Sequence, residues 1–374
     1  MLDTRYSMLV KGENEWHTRV IEIWTFTKKY KYFCEEYDHL GRMINNFIKS
    51  VDSSHKSRNE DQASSMSEDE MTEWFARQSK LLAADFPIGI GDDMAQIQLA
   101  EDTSVLVTTD MLLDGVHFDL RKATLRQAGY KAMAVSLSDC AAMATVPVAA
   151  VVSVALPRGF GEEELKQLHS GIASAGDKFG CHLVGGDITT WKAEQPFAIS
   201  VAMLSRPAGS EPIKRSGAKV GDIICVTGSL GGAHARRDRG KHLEFEPRVR
   251  EAIKIAQMVT VNSMIDISDG LSSDLGRICR ASKVGAIVNA DHVPISDEAR
   301  KGQEPLTSAL NDGEDFELLF TLSQGECERL LNKWGGPIPI TQIGATADTD
   351  KVQIKMADGG LRDLQAKGYD HLRS

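Results

Sequence analysis

The stretch Gly89-Ile90-Gly91-Asp92-Asp93-Met94-Ala95 is the part of this sequence on which its organisation turns. Two glycines permit a tight turn, and two adjacent carboxylates follow before an apolar run resumes at Ile97. Five further aspartates each stand at the end of a hydrophobic segment: Asp110, Asp139, Asp187, Asp266 and Asp269. Loops at strand ends are where α/β folds assemble their sites, and gathered carboxylates need a cation to offset their repulsion. The pattern predicts a magnesium-dependent enzyme that acts on phosphates.

Length and charge narrow the class of protein. A chain of 374 residues is too long for one ordinary core and predicts two domains with an appendage. The net charge of −10 argues against a nucleic-acid partner. Six scattered cysteines, with no CxxC pair, predict buried thiols in a cytoplasmic protein. The longest apolar run, residues 140–156, is interrupted by polar residues and proline, which favours a core helix end and a buried strand over a membrane span.

The first 65 residues differ in composition from the rest. They hold nine of the 23 aromatic residues but only two of the 32 glycines. Residues 16–47 are compatible with a short helical domain, but an appendage or an artefact of an upstream start is the favoured interpretation, and residues 52–65 are typical of a linker. Beyond them, strands alternate with helices in both halves of the chain. The prediction is an N-terminal domain over residues 66–206 and a C-terminal α/β domain over residues 207–374.

Particular elements place the acidic motifs. We predict helices over residues 73–84 and 121–143, the second carrying Asp139, and strands over residues 103–108 and 263–267. The sequence Gly185-Gly186-Asp187 is expected to form a turn after a short strand. Asp269 is in a position to cap a helix that begins at Leu271.

The usual phosphate-binding signature is missing from the sequence. There is no GxxxxGK[ST], and Gly89-Ile90-Gly91 lacks the third glycine of a dinucleotide fingerprint. A nucleotide would therefore be held through metal ions and backbone amides rather than through a P-loop lysine. Each aspartate taken alone is more often a turn former than a ligand, so the prediction depends on the set.

Several motifs, in this order along the chain, resemble those of the thiamine-monophosphate kinases, within the aminoimidazole ribonucleotide synthetase-like superfamily. They are GIGDDMA (89–95), TTDMLLDGVHF (108–118), YKAMAVSLSDCAAM (130–143), LVGGDITT (183–190), KRSGAKVGD (214–222), IDISDGLSSDL (265–275), GEDFELLFT (313–321) and KGYDHL (367–372). The resemblance covers about residue 73 to the C-terminus, and residues 1–65 lie outside it.

The resemblance implies a mixed α/β, two-domain fold whose N-terminal domain forms a homodimer. It implies transfer of the γ-phosphoryl group of ATP onto thiamine monophosphate, with several Mg²⁺ ions between the domains and no nucleic-acid or membrane partner. By position, the metal ligands are Asp93, Thr108, Thr109, Asp110, Asp139, Asp187, Asp266 and Asp269, of which Asp93, Asp110, Asp139 and Asp187 are the expected catalytic set. Gly186, Asp187, Arg215 and Ser268 correspond to ATP contacts. His117, Glu314 and Tyr369 correspond to contacts with the thiamine substrate.

For three of these residues an ordinary structural role is an open alternative. His117 lies between Val116 and Phe118 and is compatible with a packed strand histidine, Tyr369 with an aromatic that docks a C-terminus, and Arg215 with a surface ion pair.

The chemistry of the predicted reaction agrees with the residue pattern. A phosphate monoester has a second pKa near 6, so at neutral pH the acceptor is largely dianionic and needs no general base. It needs relief from repulsion between two polyanions and in-line positioning. Many aspartates without an obvious catalytic base are what such a reaction requires.

Other functions remain as alternatives. Another ATP-dependent enzyme of the superfamily is the first, although a hydrogenase-maturation dehydratase ends in a reactive cysteine and this chain ends in Ser374. Selenophosphate synthetase needs a reactive cysteine or selenocysteine near its glycine loop, whereas Cys34 lies in the extension. A catalytically silent nucleotide- or metal-binding scaffold is the alternative from a different class.

Overall fold

A computed structural model describes residues 67–79, 81–233, 241–365 and 368. The chain divides after Ser65, and all of these residues belong to its second unit, Met66–Ser374. The predicted aromatic segment over residues 16–47 and the predicted linker over residues 52–65 lie outside the described residues.

The first half of this unit is built on a five-stranded sheet. Its strands are β1 (Ala95–Ala100), β2 (Thr103–Leu113), β3 (Thr145–Leu156), β4 (His182–Thr190) and β5 (Ala198–Pro207). Their order across the sheet is β1-β2-β5-β3-β4, and all neighbours are antiparallel except β3 and β4. Short helix α1 (Glu68–Gln78) precedes the sheet, and helices α2 (Leu125–Ala142) and α3 (Glu162–Gly176) lie between its strands in the sequence.

Helices α2 and α3 pack unusually closely. A Cβ atom added to Gly129 would lie 2.3 Å from the Leu168 carbonyl oxygen, and one added to Gly171 would lie 1.9 Å from the Arg126 carbonyl oxygen. Only glycine permits such a close backbone approach. Thr124 caps α2 by accepting a hydrogen bond from the Gln127 amide at 3.2 Å, so the first turn of this central helix is fixed.

The second half is built on a seven-stranded sheet. Its strands are β6 (Ile223–Thr227), β7 (Ser263–Asp266), β8 (Gly285–Asn289), β9 (Leu318–Leu322), β10 (Ile340–Ala347), β11 (Val352–Lys355) and β12 (Leu361–Asp363). Their order is β12-β11-β8-β10-β6-β9-β7, with only β8 and β11 parallel. The helices of this half are α4 (Val249–Met258), α5 (Leu271–Ser282), α6 (Pro305–Asn311) and α7 (Gln324–Lys333).

Helix α2 lies at the centre of the molecule. It packs against the first sheet, α3 and α4, and also contacts β7 of the second sheet. One hydrophobic core therefore continues from the first sheet through α2 to one face of the second, and includes Leu137, Met264 and Phe320. A separate core covers the other face of the second sheet. The mixed α/β class is confirmed, and the division between residues 206 and 207 stays a prediction.

Three local predictions were wrong. Residues 185–187 lie within β4 rather than in a turn, because the strand continues in parallel register with β3 through Thr190. The first helix spans Glu68–Gln78 instead of residues 73–84, because Ser67 provides a complete capping box with Glu70. The N-cap of α5 is Gly270, and the Asp269 carboxylate binds Arg277 instead of capping the helix.

Two predictions from composition can be compared with the structure. The five cysteines that it describes are buried and free, as predicted, and Cys34 lies outside the described residues. Within that described part of the chain, no helix is both long and apolar enough to span a bilayer.

Candidate active site

Three aspartates from distant parts of the sequence meet beside α2. Asp93 precedes β1, Asp139 belongs to α2, and Asp266 ends β7. Each offers one carboxylate oxygen, and the three oxygens lie within 4.8 Å of one another. The Asp93 and Asp266 residues are buried, at 8% and 3% exposure. The site therefore draws carboxylates from both halves of the unit.

Burial and neighbouring carboxylates disfavour the charged forms of Asp110, Asp139 and Asp266. Burial raises the pKa of Asp139 well above its usual range, and the neighbouring Asp110 and Asp266 raise it further. Burial and the proximity of Asp93 do the same to the pKa of Asp266. Burial raises the pKa of Asp110 to about 6. Such a group either takes up protons or binds a cation, and a donor set made only of oxygens suits Mg²⁺.

Hydroxyl groups hold three of the carboxylates in place. Ser136 donates to Asp110 at 2.6 Å, Ser138 donates to Asp266 at 2.5 Å, and Thr108 donates to Asp139. Thr108 was expected to act as a metal ligand, and the structure places its hydroxyl directly beside the Asp139 carboxylate. Ser136 and Ser138 were not identified from the sequence. They stand three residues and one residue before Asp139 in the segment SLSD, and this proximity was the available signal.

Arg215 is the positive group of this cluster. Its guanidinium donates to both carboxylate oxygens of Asp93, at 2.7 and 3.2 Å, and its amide donates to Asp92 at 2.6 Å. The alternative of a surface ion pair does not describe it, because the Asp93 side chain is only 2% exposed. A cation bound at Asp93 would have to share that carboxylate with Arg215 or displace it.

Asp269 and Ser268 lie in the loop that follows β7. Asp269 pairs with Arg277 at 2.5 Å, and Arg277 also binds Asp274 at 2.7 Å. Among the described residues, Asp269 is therefore not one of the three carboxylates that meet beside α2. The Ser268 carbonyl accepts a hydrogen bond from the Glu314 amide at 2.7 Å, which ties this loop to the GEDF segment.

Asp187 and Thr109 occupy the opposite face of the first sheet from Asp110. Asp110 is aligned with Val201 and Val152 on the side that α2 covers, whereas Asp187 is aligned with Ser153 on the other side. Asp187 is exposed. The Thr109 hydroxyl lies 3.4 Å from that of Ser200, on this second side. Within one chain, therefore, the structure does not bring these two predicted ligands to the three aspartates.

Gly186 is required by the sheet itself. A Cβ atom at this position would lie 2.0 Å from the carbonyl oxygen of Val152 on the neighbouring strand. The close approach that the sequence suggested for a phosphate is an approach to β3 in this structure.

The two described substrate candidates converge on a buried lysine. Lys131 donates to the His117 carbonyl at 2.6 Å and to a Glu314 carboxylate oxygen at 2.6 Å. His117 is not a simple packed strand residue, since its Nδ1 accepts a hydrogen bond from the Leu113 amide at 3.0 Å in the loop after β2. Tyr369 lies outside the described residues. Lys131 was missed because, among the charged residues of a sequence, a lysine is rarely buried.

Comparison with known proteins identifies the family. The N-terminal domain of AIR synthase related proteins matches residues 91–206, and the C-terminal domain of the same proteins matches residues 219–357. A thiamine-monophosphate kinase from Rhodopirellula baltica is 36% identical over 297 residues, covering 76% of this chain and 91% of the relative. This chain belongs to the thiamine-monophosphate kinase family. The family relative from Escherichia coli K12 is 35% identical over 313 residues, covering 77% of this chain and 92% of its own length.

Solved structures agree with this family assignment. AaThiL complexed with AMPPCP and TMP superimposes with a TM-score of 0.67 at 27% identity, covering 82% of this chain and 97% of that structure. The thiamine-monophosphate kinase from Stenotrophomonas maltophilia K279a gives a TM-score of 0.60 at 30% identity, covering 77% and 95%. The HypE–HypF complex matches at 18% identity with a TM-score of 0.62, which shows a shared fold alone.

Proposed function

We propose that this protein transfers the γ-phosphoryl group of ATP to thiamine monophosphate and releases thiamine diphosphate and ADP. The observation that carries the proposal is the meeting of Asp93, Asp139 and Asp266 in a chain of this family. Support for the two substrates comes from AaThiL, which was solved with AMPPCP and TMP.

We further propose that the acidic cluster holds Mg²⁺. The residues present fit the ion, because the donor set is made of carboxylate oxygens within 4.8 Å of one another and burial disfavours the charged forms of Asp139 and Asp266 without a cation. When bound, the ions would neutralise charge on the two phosphates. For this cluster the proposed ligands are Asp93, Asp139 and Asp266, with Thr108 and Asp110 beside them. Thr109, Asp187 and Asp269 lie outside the cluster and are proposed as ligands from the family resemblance alone.

The chain's own groups have distinct parts in this proposal. Ser138 and Thr108 orient Asp266 and Asp139 through hydrogen bonds, so the carboxylates do not have to reorganise during the reaction. Arg215 brings a positive charge beside Asp93, which suits the binding of an anionic nucleotide there. No residue is assigned the task of a general base, because the acceptor phosphate is largely dianionic at neutral pH.

The binding residues remain proposals. Gly186, Asp187, Arg215 and Ser268 are proposed to contact ATP, and His117, Glu314 and Tyr369 to contact thiamine monophosphate. Lys131 ties the His117 loop to Glu314, which supports a shared substrate pocket there. Asp187 and Thr109 lie on the other face of the sheet, so their part in a metal site depends on groups beyond this single chain.

The reaction is tested with purified protein, Mg²⁺, ATP and thiamine monophosphate. We expect thiamine diphosphate and ADP to appear in equal amounts, with ADP formation dependent on the acceptor. Omitting thiamine monophosphate is the matched control. If ADP forms at the same rate without it, the reaction is that of another member of the AIR synthase related superfamily.

A homodimer is proposed from the face of the first sheet that carries Met111, Val151 and Leu204. Three apolar side chains on this face are exposed: Met111 at 62%, Val151 at 43% and Leu204 at 43%. Strand pairing places Val151 and Leu204 on the same side of the sheet, level with Ala202 and Ala149 respectively. An apolar sheet face of this kind typically marks an interface, and a second copy offers a matching one.

Val151→Arg should convert the dimer to a monomer, because the charge would be desolvated at the centre of the proposed interface. Light scattering after gel filtration measures the mass. Leu331→Arg, at a half-exposed position of α7, is the control and should leave the mass unchanged. A monomeric wild-type protein, or an unchanged mass for Val151→Arg, would contradict the proposed interface.

A cytoplasmic location also stays a prediction.

A further inference from the structure

One fully buried charge is not explained by the metal site or by the core. The Lys131 side chain is 0% exposed, and it lies on α2 among alanine, methionine and leucine residues. Burial lowers the pKa of Lys131, and Glu314 opposes that effect. A lysine is expensive to bury, so its place in the centre of the molecule calls for specific partners.

Those partners come from three separate segments. The ammonium group donates to the His117 carbonyl at 2.6 Å and to the Glu314 Oε1 atom at 2.6 Å, and it lies 3.0 Å from the His242 Nδ1 atom. His242 Nδ1 lies 3.1 Å from the second Glu314 oxygen. Lys131 thus links the loop after β2, the segment before β9 and the short 3₁₀ turn Lys241–Leu243.

The backbone of Glu314 shows that its position is imposed by the surroundings. Its φ angle is +67°, a conformation that residues other than glycine rarely adopt. The amide of Glu314 donates to the Ser268 carbonyl at 2.7 Å, which fixes the backbone. The Glu314 side chain is 16% exposed while that of Lys131 is not exposed at all, so part of the glutamate side chain reaches the surface and the lysine lies behind it. The Glu314 Oε2 atom itself is buried.

The position of Lys131 along α2 relates this network to the aspartate site. Lys131 precedes Ser138, which binds Asp266, by seven residues, so the two lie on similar sides of α2 about 10 Å apart along its axis. This arrangement suits a ligand that places a phosphate at the aspartates and a ring system at Glu314.

We infer that Lys131 is a positioning residue for the acceptor substrate: it holds the Glu314 carboxylate and the His117 loop in the geometry that receives the ring end of thiamine monophosphate. The inference rests on the proposed function. Lys131 does not itself reach the substrate, because no part of its side chain is exposed. It acts through the orientation of Glu314 and through the main chain at His117.

Lys131→Met tests this inference, because methionine fills similar volume without the charge or the hydrogen bonds. We expect KM for thiamine monophosphate to rise about tenfold or more, since misplacement of a binding group by a fraction of an ångström has effects of this size. KM for ATP should stay within about twofold, because the aspartate cluster and Arg215 do not contact Lys131. Calorimetric titration with thiamine monophosphate should show the same loss of affinity.

A general loss of stability must be separated from this specific effect. Arg248→Met is the matched control, because Arg248 makes a similarly buried ion pair, donating to both oxygens of Glu317 at 2.7 and 2.6 Å. It should lower the melting temperature without changing the ratio of the two KM values. If Lys131→Met does not fold, Lys131→Gln is measured by the same criteria, since glutamine keeps hydrogen-bond donors at this position.

Two results would overturn the inference. One is an unchanged KM for thiamine monophosphate in the folded variant, and the other is an equal rise in both KM values. If the wild-type protein fails to produce thiamine diphosphate at all, the proposed function fails, and this result is seen before any variant is compared.

Discussion

Asp139→Asn should lower kcat by about a thousandfold or more, which is the scale of losing a charged group that organises transition-state charge. Asparagine has nearly the same shape as aspartate and can still accept the hydrogen bond from Thr108. What it removes is the negative charge, so that the three meeting carboxylates become two. Thiamine diphosphate formation under saturating Mg²⁺ measures the effect.

The stability of this variant distinguishes a lost ligand from a damaged fold. Burial and the neighbouring carboxylates raise the pKa of Asp139 well above its usual range, so an uncharged side chain is the less costly occupant in the absence of metal. We expect the metal-free Asp139→Asn protein to melt at the same temperature as the wild type or higher. Asp177→Asn, at an exposed carboxylate, is the control and should keep full activity. Activity within tenfold of the wild type would exclude Asp139 from the reaction.

Mg²⁺ should stabilise the protein much more at pH 8 than at pH 5. Burial raises the pKa of Asp110 to about 6, and the pKa values of Asp139 and Asp266 are also raised. Above the unfolded pKa near 3.8, the unfolded chain ionises while the folded chain keeps these protons. Stability of the metal-free protein is therefore fully present at acid pH and falls as the pH rises towards 6, by about 1.4 kcal/mol per pH unit for each retained proton.

Mg²⁺ bound at the proposed site would select the ionised carboxylates and reverse this loss. The measurement is the melting temperature with EDTA and with Mg²⁺ at several pH values and matched ionic strength. Asp274 and Asp315, whose pKa values burial raises to about 7, contribute a background that is present under both conditions and cancels in the difference. The Asp139→Asn variant should show a smaller Mg²⁺ effect. A stabilisation that does not depend on pH, or that is equal in this variant, would contradict a metal site at these carboxylates.

The sequence predicted the meeting of Asp93, Asp139 and Asp266 although 173 residues separate the first from the last. Each follows or precedes an apolar segment, and buried segments of a small core bring their ends together. By contrast, the fate of Asp187 could not be predicted. The glycines before it suggested a turn, but pairing with β3 extended the strand and placed the carboxylate on the sheet face that also carries Val151.

The hydrogen-bond network of Lys131 could not be predicted from the sequence either. Its partners are a main-chain carbonyl, a glutamate and a histidine that lie 14, 183 and 111 residues away. A buried lysine and an exposed one look alike in a linear pattern, because burial depends on which helix becomes central. Arg215 similarly offered no sign that it would hold both oxygens of Asp93.

By itself, the sequence determined the family, the mixed α/β class and the acidic, oxygen-rich chemistry of the site, because motif identity and hydrophobic pattern are local properties of the chain. Only the tertiary structure decided which carboxylates share one site and which face of the sheet Asp187 occupies. It also decided that Arg215 pairs with Asp93 and that Lys131 pairs with Glu314. Those outcomes depend on strand register and on the packing of α2 between two sheets, and these are set by contacts among residues far apart in the chain.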